Sequence, residues 1–68
     1  MTIHELDGIA PQLPAGFCFV APGSALIGNV VVGEDVGIWF GAVLRGDNAP
    51  IDVGARTNIQ EGAMLHVD

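Results

Sequence analysis

Few residues in this chain could carry chemistry, and most of them crowd its second half. Two histidines (His4 and His66), one cysteine (Cys18) and two arginines (Arg45 and Arg56) stand against eight carboxylates. Arg45 and Asp47 sit two residues apart, and Asn58, Gln60 and His66 follow on the C-terminal side. An imidazole can ligate a metal through a lone pair or serve as a general base. A carboxamide such as Asn58 or Gln60 can orient a small polar molecule, or simply satisfy backbone groups at a corner. Arg45 and Asp47 can form an ion pair, either on one surface or across an interface. A catalytic zinc needs three protein ligands and an open fourth position. One cysteine and two histidines remote from each other cannot supply that set unaided.

The frame that must position these residues is written as a repeat. From Val20 an aliphatic residue returns every six positions, at Leu26, Val32, Ile38 and Leu44. The phase then slips by three and resumes at Val53, Ile59 and Leu65. Two residues before each stands a small or β-branched partner: Cys18, Ser24, Val30, Val36, Ala42, Ile51, Thr57 and Ala63. Residues at i−2 and i point the same way on a strand. The rest of each hexad turns a corner, and glycines such as Gly23, Gly28, Gly33, Gly41 and Gly62 suit that role. Six is not a helical period. The expected fold is all-β, with three hexads forming one triangular coil and coils stacked at ~4.8 Å.

That stacking is a map. Hexads three apart share a side, so Val20, Ile38 and Ile59 should stack, as should Leu26, Leu44 and Leu65, and Val32 with Val53. The three extra residues after Leu44 should leave the triangle as a short loop near Gly46 to Pro50. Side chains flanking the inward aliphatics point out, which selects Trp39, Val43, Arg45, Asn58, Gln60, Met64 and His66. Arg45 and His66 follow the stacked Leu44 and Leu65 and should be neighbours, while Trp39 should lie under Gln60. Trp39, Phe40, Val43 and Met64 are large apolar groups aimed outward or at corners, as at a subunit interface. Residues 1–15 form an extended lead with Pro11 and Pro14, and residues 16–68 form about two and a half coils. No capping element closes those coils, so the expectation is a longer protein.

Composition excludes some partners. Eight acids against two arginines, with no lysine, give a net charge of −6. Nucleic acids and anionic membrane surfaces both demand clustered cations, so neither is expected as a partner. No apolar run approaches the ~20 residues of a membrane span. The lone Cys18 and the acidic first residues, which do not read as a secretory signal, point to a cytoplasmic setting.

The segments Arg45-Gly46-Asp47-Asn48, Arg56-Thr57-Asn58-Ile59-Gln60-Glu61-Gly62 and Leu65-His66-Val67-Asp68 together resemble the signature of the γ-class carbonic anhydrases. The resemblance implies a left-handed parallel β-helix of hexapeptide repeats and a homotrimer with its site at the subunit interface. It implies a zinc ion, or another divalent transition metal, held by three histidines of which His66 matches the first. Arg45 and Asp47 match the pair that ties subunits together. Gln60 matches the residue that positions the metal's water, and Asn58 a polar neighbour. Asn48 stands where some members carry a carboxylate. The implied activity is reversible hydration of carbon dioxide, a small-molecule reaction. The remaining metal ligands would lie beyond Asp68, so the 68 residues alone should be inactive. A noncatalytic trimeric scaffold is one alternative. Another is a hexapeptide acyltransferase, in which a metal-free histidine acts as general base.

Overall fold

In the computed structural model, residues 2–66 are described; Val67 and Asp68, which close the matched signature, lie outside them. Among the described residues there is no helix, and so none long and apolar enough to cross a membrane. The strands are β1 (Thr2–His4), β2 (Phe19–Val20), β3 (Ala25–Val32), β4 (Gly37–Ile38), β5 (Val43–Val53), β6 (Asn58–Ile59) and β7 (Met64–His66). They pair in parallel, in a four-stranded sheet β1-β3-β5-β7 and a three-stranded sheet β2-β4-β6. The result is a solenoid of about three turns, the architecture of the left-handed β-helix of hexapeptide repeats.

The inward ladders fall where the six-residue period puts them. Val20 pairs with Ile38 and Ile38 with Ile59. Leu26 pairs with Leu44 and Leu44 with Leu65, and Val32 pairs with Val53. Leu26, Ile38 and Leu44 are 0% exposed, because each has a rung above and below. Ile59 and Leu65, on the last rung, are only half-buried against this core. Ser24 is a buried polar member of the ladder, and its hydroxyl is satisfied by donating to the Ala21 carbonyl. The corners are two-residue turns whose second residue is left-handed: Gly23, Asp35, Gly41, Arg56 and Gly62. Glycine takes that conformation without cost, and Gly62 donates its amide to Phe40 O in the corner below.

The excursion after Leu44 differs in kind from the loop expected. Gly28 pairs with Gly46 and Val30 with Ile51, so Asn29 alone lies opposite residues 47–50. The added residues bulge from the ladder, yet β5 stays extended from Val43 through Val53. A bulge keeps strand direction while breaking the pairing, which is why register resumes immediately at Ile51. At its base the two backbones meet closely: a Cβ on Gly46 would lie 2.3 Å from Asn29 O.

The extended lead is also part of the stack. β1 pairs with β3, setting Ile3 beside Leu26, and Gln12 exchanges backbone hydrogen bonds with Val30 and Val32. Between them Leu6 and Ile9 bridge across Asp7 and Gly8, both at positive φ, as a two-residue hairpin turn requires. The hairpin occupies the corner where β5 bulges. Its added residues break the six-residue spacing, so periodicity begins only at Val20.

Candidate functional site

Strand register carries the outward residues into columns. On the four-stranded sheet one column runs His4, Ile27, Arg45, His66. Arg45 and His66 are therefore one rung apart on one face and point out, as expected. His4 shares their column too, a relation the sequence did not reveal. It sits three rungs from His66, roughly 14 Å at 4.8 Å per rung, beyond the reach of a shared metal.

Arg45, Asp47 and His66 close on one another. The Arg45 Nη2 lies 3.1 Å from His66 Nδ1, and His66 Nε2 lies 2.9 Å from Asp47 Oδ1. The Asn48 amide donates to the same Oδ1 at 2.8 Å, which fixes the carboxylate. Arg45 Nε stands 3.5 Å from Asp47 Oδ2, an ion pair without hydrogen-bond geometry, and that nitrogen is buried. A guanidinium only donates and a carboxylate only accepts. Nδ1 must then present its lone pair to Arg45, and the ring proton must sit on Nε2, donated to Asp47. Partial desolvation pushes the Asp47 carboxyl up, but the hydrogen bonds from His66 and Asn48, with the electrostatic influence of His66 and then Arg45, outweigh it and hold it below the usual value.

The part played by Asp47 in this contact was not read from the sequence, though a signal was there. Residues two apart on a strand share a face, so Asp47 had to flank the position above Arg45.

Asn58 and Gln60 are not brought to His66. Asn58 lies on the three-stranded sheet, paired to Gly37 beside the Ile59–Ile38 pair, and Gln60 follows just past the end of β6; both are exposed. By register Trp39 does lie under Gln60, yet its side chain turns the other way. The indole Nε1 faces Asn58 Oδ1 at 3.5 Å, over Gly37, whose missing Cβ would sit 2.7 Å from that oxygen. Phe19 packs on Trp39 at 5.0 Å between ring centroids and on Phe40 at 6.5 Å. Phe17, Phe19, Val36, Trp39 and Asn58 help to line a shallow cleft of about 340 Å³. Phe40 and Met64 are exposed.

Relatives can now be set beside this geometry. A carbonic anhydrase of Geobacillus kaustophilus is 44% identical over 64 residues, covering 94% of this chain and 35% of the relative. Gamma carbonic anhydrase 3, mitochondrial, of Arabidopsis thaliana is 57% identical over 66 residues, covering 97% of this chain and 25% of the relative. The chain belongs to the γ-carbonic-anhydrase-like hexapeptide-repeat family. Protein YrdA of Escherichia coli is 57% identical over 44 residues, 65% of this chain and 24% of that protein. No family model matches the chain. It spans about a quarter to a third of the length of these relatives. Among the described residues no group of three His, Cys, Asp or Glu could hold a metal. The outward cluster on the four-stranded sheet is one imidazole with a carboxylate and a guanidinium around it.

Proposed function

We propose that this chain provides the first coils of a metal-dependent hydratase of the γ-carbonic anhydrase type, acting on carbon dioxide as a cytoplasmic homotrimer. The observation that carries the reading is the Arg45–Asp47–His66 constellation on adjacent rungs, in a chain whose relatives are named carbonic anhydrases.

In this reading His66 is one of three metal ligands, and the other two lie outside the described residues, some from a neighbouring copy. Zinc, or another divalent transition metal, would supply the Lewis acidity that makes a hydroxide-like nucleophile available near neutral pH. The residues present fit one corner of such a centre and do not complete it. Their own work is to orient: Asp47 and Arg45 fix the plane of the His66 ring. Asn58 and Gln60 project from the other sheet, so they would serve a site only where that face of one copy meets the His66 face of another. A noncatalytic trimeric scaffold is the second reading, favoured by the exposed Phe17, Phe40 and Met64.

The test is metal analysis of the intact assembled protein and its His66→Ala variant. Zinc should fall sharply in the variant, while metal-free thermal melts of the two stay close, because His66 faces outward. Equal zinc in both would overturn the ligand assignment. Bound zinc without carbon dioxide hydration would favour the scaffold.

A further inference from the structure

The aromatic face of the three-stranded sheet carries an unbalanced charge. Phe17 and Phe19 flank the half-buried Cys18 and point out from the first rung, and Trp39 stands against Phe19 one rung on. Two backbone hydrogen bonds tie this segment to the corner that carries Asp35. The Asp35 amide donates to Phe17 O at 2.7 Å, and the Phe19 amide to Val36 O at 2.9 Å. Asp35 thereby lines the same cleft as the three rings and Asn58. Beside it Glu34 lies over Gly16, where a Cβ would come within 3.1 Å of the Glu34 carboxyl. Both acids are exposed, and the ion pairs among the described residues involve Arg45, Asp47 and His66 alone. Arg56, on the corner of the next rung, gives the Glu34 carbonyl its backbone amide, and among the described residues its guanidinium pairs with neither acid.

An aromatic cleft with an unpaired carboxylate in its wall suits a weakly hydrated cation. The π faces attract positive charge, and the carboxylate accepts charge-assisted hydrogen bonds. A guanidinium fits better than an ammonium, because it is planar, sheds water more readily, stacks on aromatic faces and offers parallel donors to a carboxylate. At about 340 Å³ the cleft has room for one such side chain, and because it is shallow the rest of the ligand must lie outside it. The net charge of −6 steers basic chains toward this surface. We propose that the cleft docks an arginine side chain presented by a basic segment of a partner protein. Its guanidinium lies against the aromatic wall and donates to Asp35. Nothing in this docking involves His66, which is on the other sheet.

The experiment follows the Trp39 indole N–H resonance of the intact assembled protein. The probes are a blocked glycyl-arginyl-glycine tripeptide, its uncharged citrulline isostere and its lysine counterpart. The arginine peptide should shift that resonance and bind about fivefold more tightly than the citrulline peptide, with lysine between them. Asp35→Asn should cut arginine affinity about fivefold. Asparagine tolerates the left-handed backbone of Asp35 (φ 57°), so the corner should keep its shape. Phe17→Ala should weaken binding too, at little risk to the fold, because Phe17 is 69% exposed. Asp52→Asn removes the same charge from the exposed side of the other sheet and should leave binding unchanged. Equal affinity for the arginine and citrulline peptides would overturn the docking site. So would a loss in Asp52→Asn as large as that in Asp35→Asn, the mark of general attraction to an acidic chain. Free guanidinium binding as tightly as the peptide would overturn the partner segment in favour of a small cation. A Trp39 resonance that ignored every peptide would overturn the site outright, and dissociation of the assembly by Asp35→Asn in that case, read by sedimentation, would name a second copy as its occupant.

Discussion

The two sheets share one interior and have opposite exteriors. On the four-stranded sheet, adjacent rungs are linked outside by polar contacts among Arg45, Asp47 and His66. On the three-stranded sheet the outside is aromatic, with Phe19, Trp39 and Phe40 in edge and tilted contact and Asn58 turned to the indole. Inside, both present the same aliphatic ladder one rung apart. The inward residues therefore decide the fold, and the outward residues are left to differ by function. Each face can be broken separately, and only the interior breaks both.

The largest effect is expected at Leu44, fully buried between Leu26 and Leu65. Leu44→Ala removes the middle of a three-rung ladder and should cost about 2–5 kcal/mol. A solenoid this small has little stability in reserve. Chemical denaturation, followed by both tryptophan emission and His66 resonances, should show the two faces melting in one transition. A variant in which one signal disappeared well before the other would show that the faces do not share one core.

Next comes Gly46→Ala, aimed at the polar face alone. A Cβ there would meet the Asn29 carbonyl at 2.3 Å, and backbone cannot swing aside as a side-chain tip can. The expected cost is about 1–3 kcal/mol, with the Arg45–His66 hydrogen bond broken and the Trp39 environment kept. Gly54→Ala is the control: nothing lies within 4 Å of its Cβ, so its stability should hold or rise slightly. If Gly46→Ala leaves the His66 spectrum intact, the bulge does not set the site.

These cases separate what the sequence could and could not disclose. The ladder from Val20 to Leu65, the slip after Leu44 and the pairing of Arg45 with His66 were legible, because period and parity are carried by the backbone. Position does not fix where a side chain turns. Trp39 aligns with Gln60 and yet reaches back over Gly37 to Asn58, a choice made by the space Gly37 leaves and by Phe19. The lead was legible as extended chain but not as a rung, because its hairpin at Asp7 and Gly8 lengthens the spacing between Ile3 and Leu13.

The smallest effects belong to the aromatic face, and two substitutions there test one contact from opposite sides. Gly37→Ala would put a Cβ 2.7 Å from Asn58 Oδ1 and 3.0 Å from Trp39 Nε1, so both must move. Both are side-chain atoms on an exposed surface, so the cost should stay at about 1 kcal/mol, with a clear change in tryptophan emission. Asn58→Ala removes the acceptor but leaves the space. At 3.5 Å and exposed, that hydrogen bond is at the limit of useful geometry, and its loss should cost below about 0.5 kcal/mol. The indole should then stay stacked on Phe19, and emission should change less than in Gly37→Ala. Neither variant should disturb the His66 resonances, because the contact lies on the other sheet. The double variant discriminates. With the Asn58 side chain gone, the methyl introduced by Gly37→Ala has only the indole to displace, so the combined cost should fall below the sum of the two. Strict additivity would mean that Trp39 is held by Phe19 alone and that Asn58 is available to the site the family resemblance gives it.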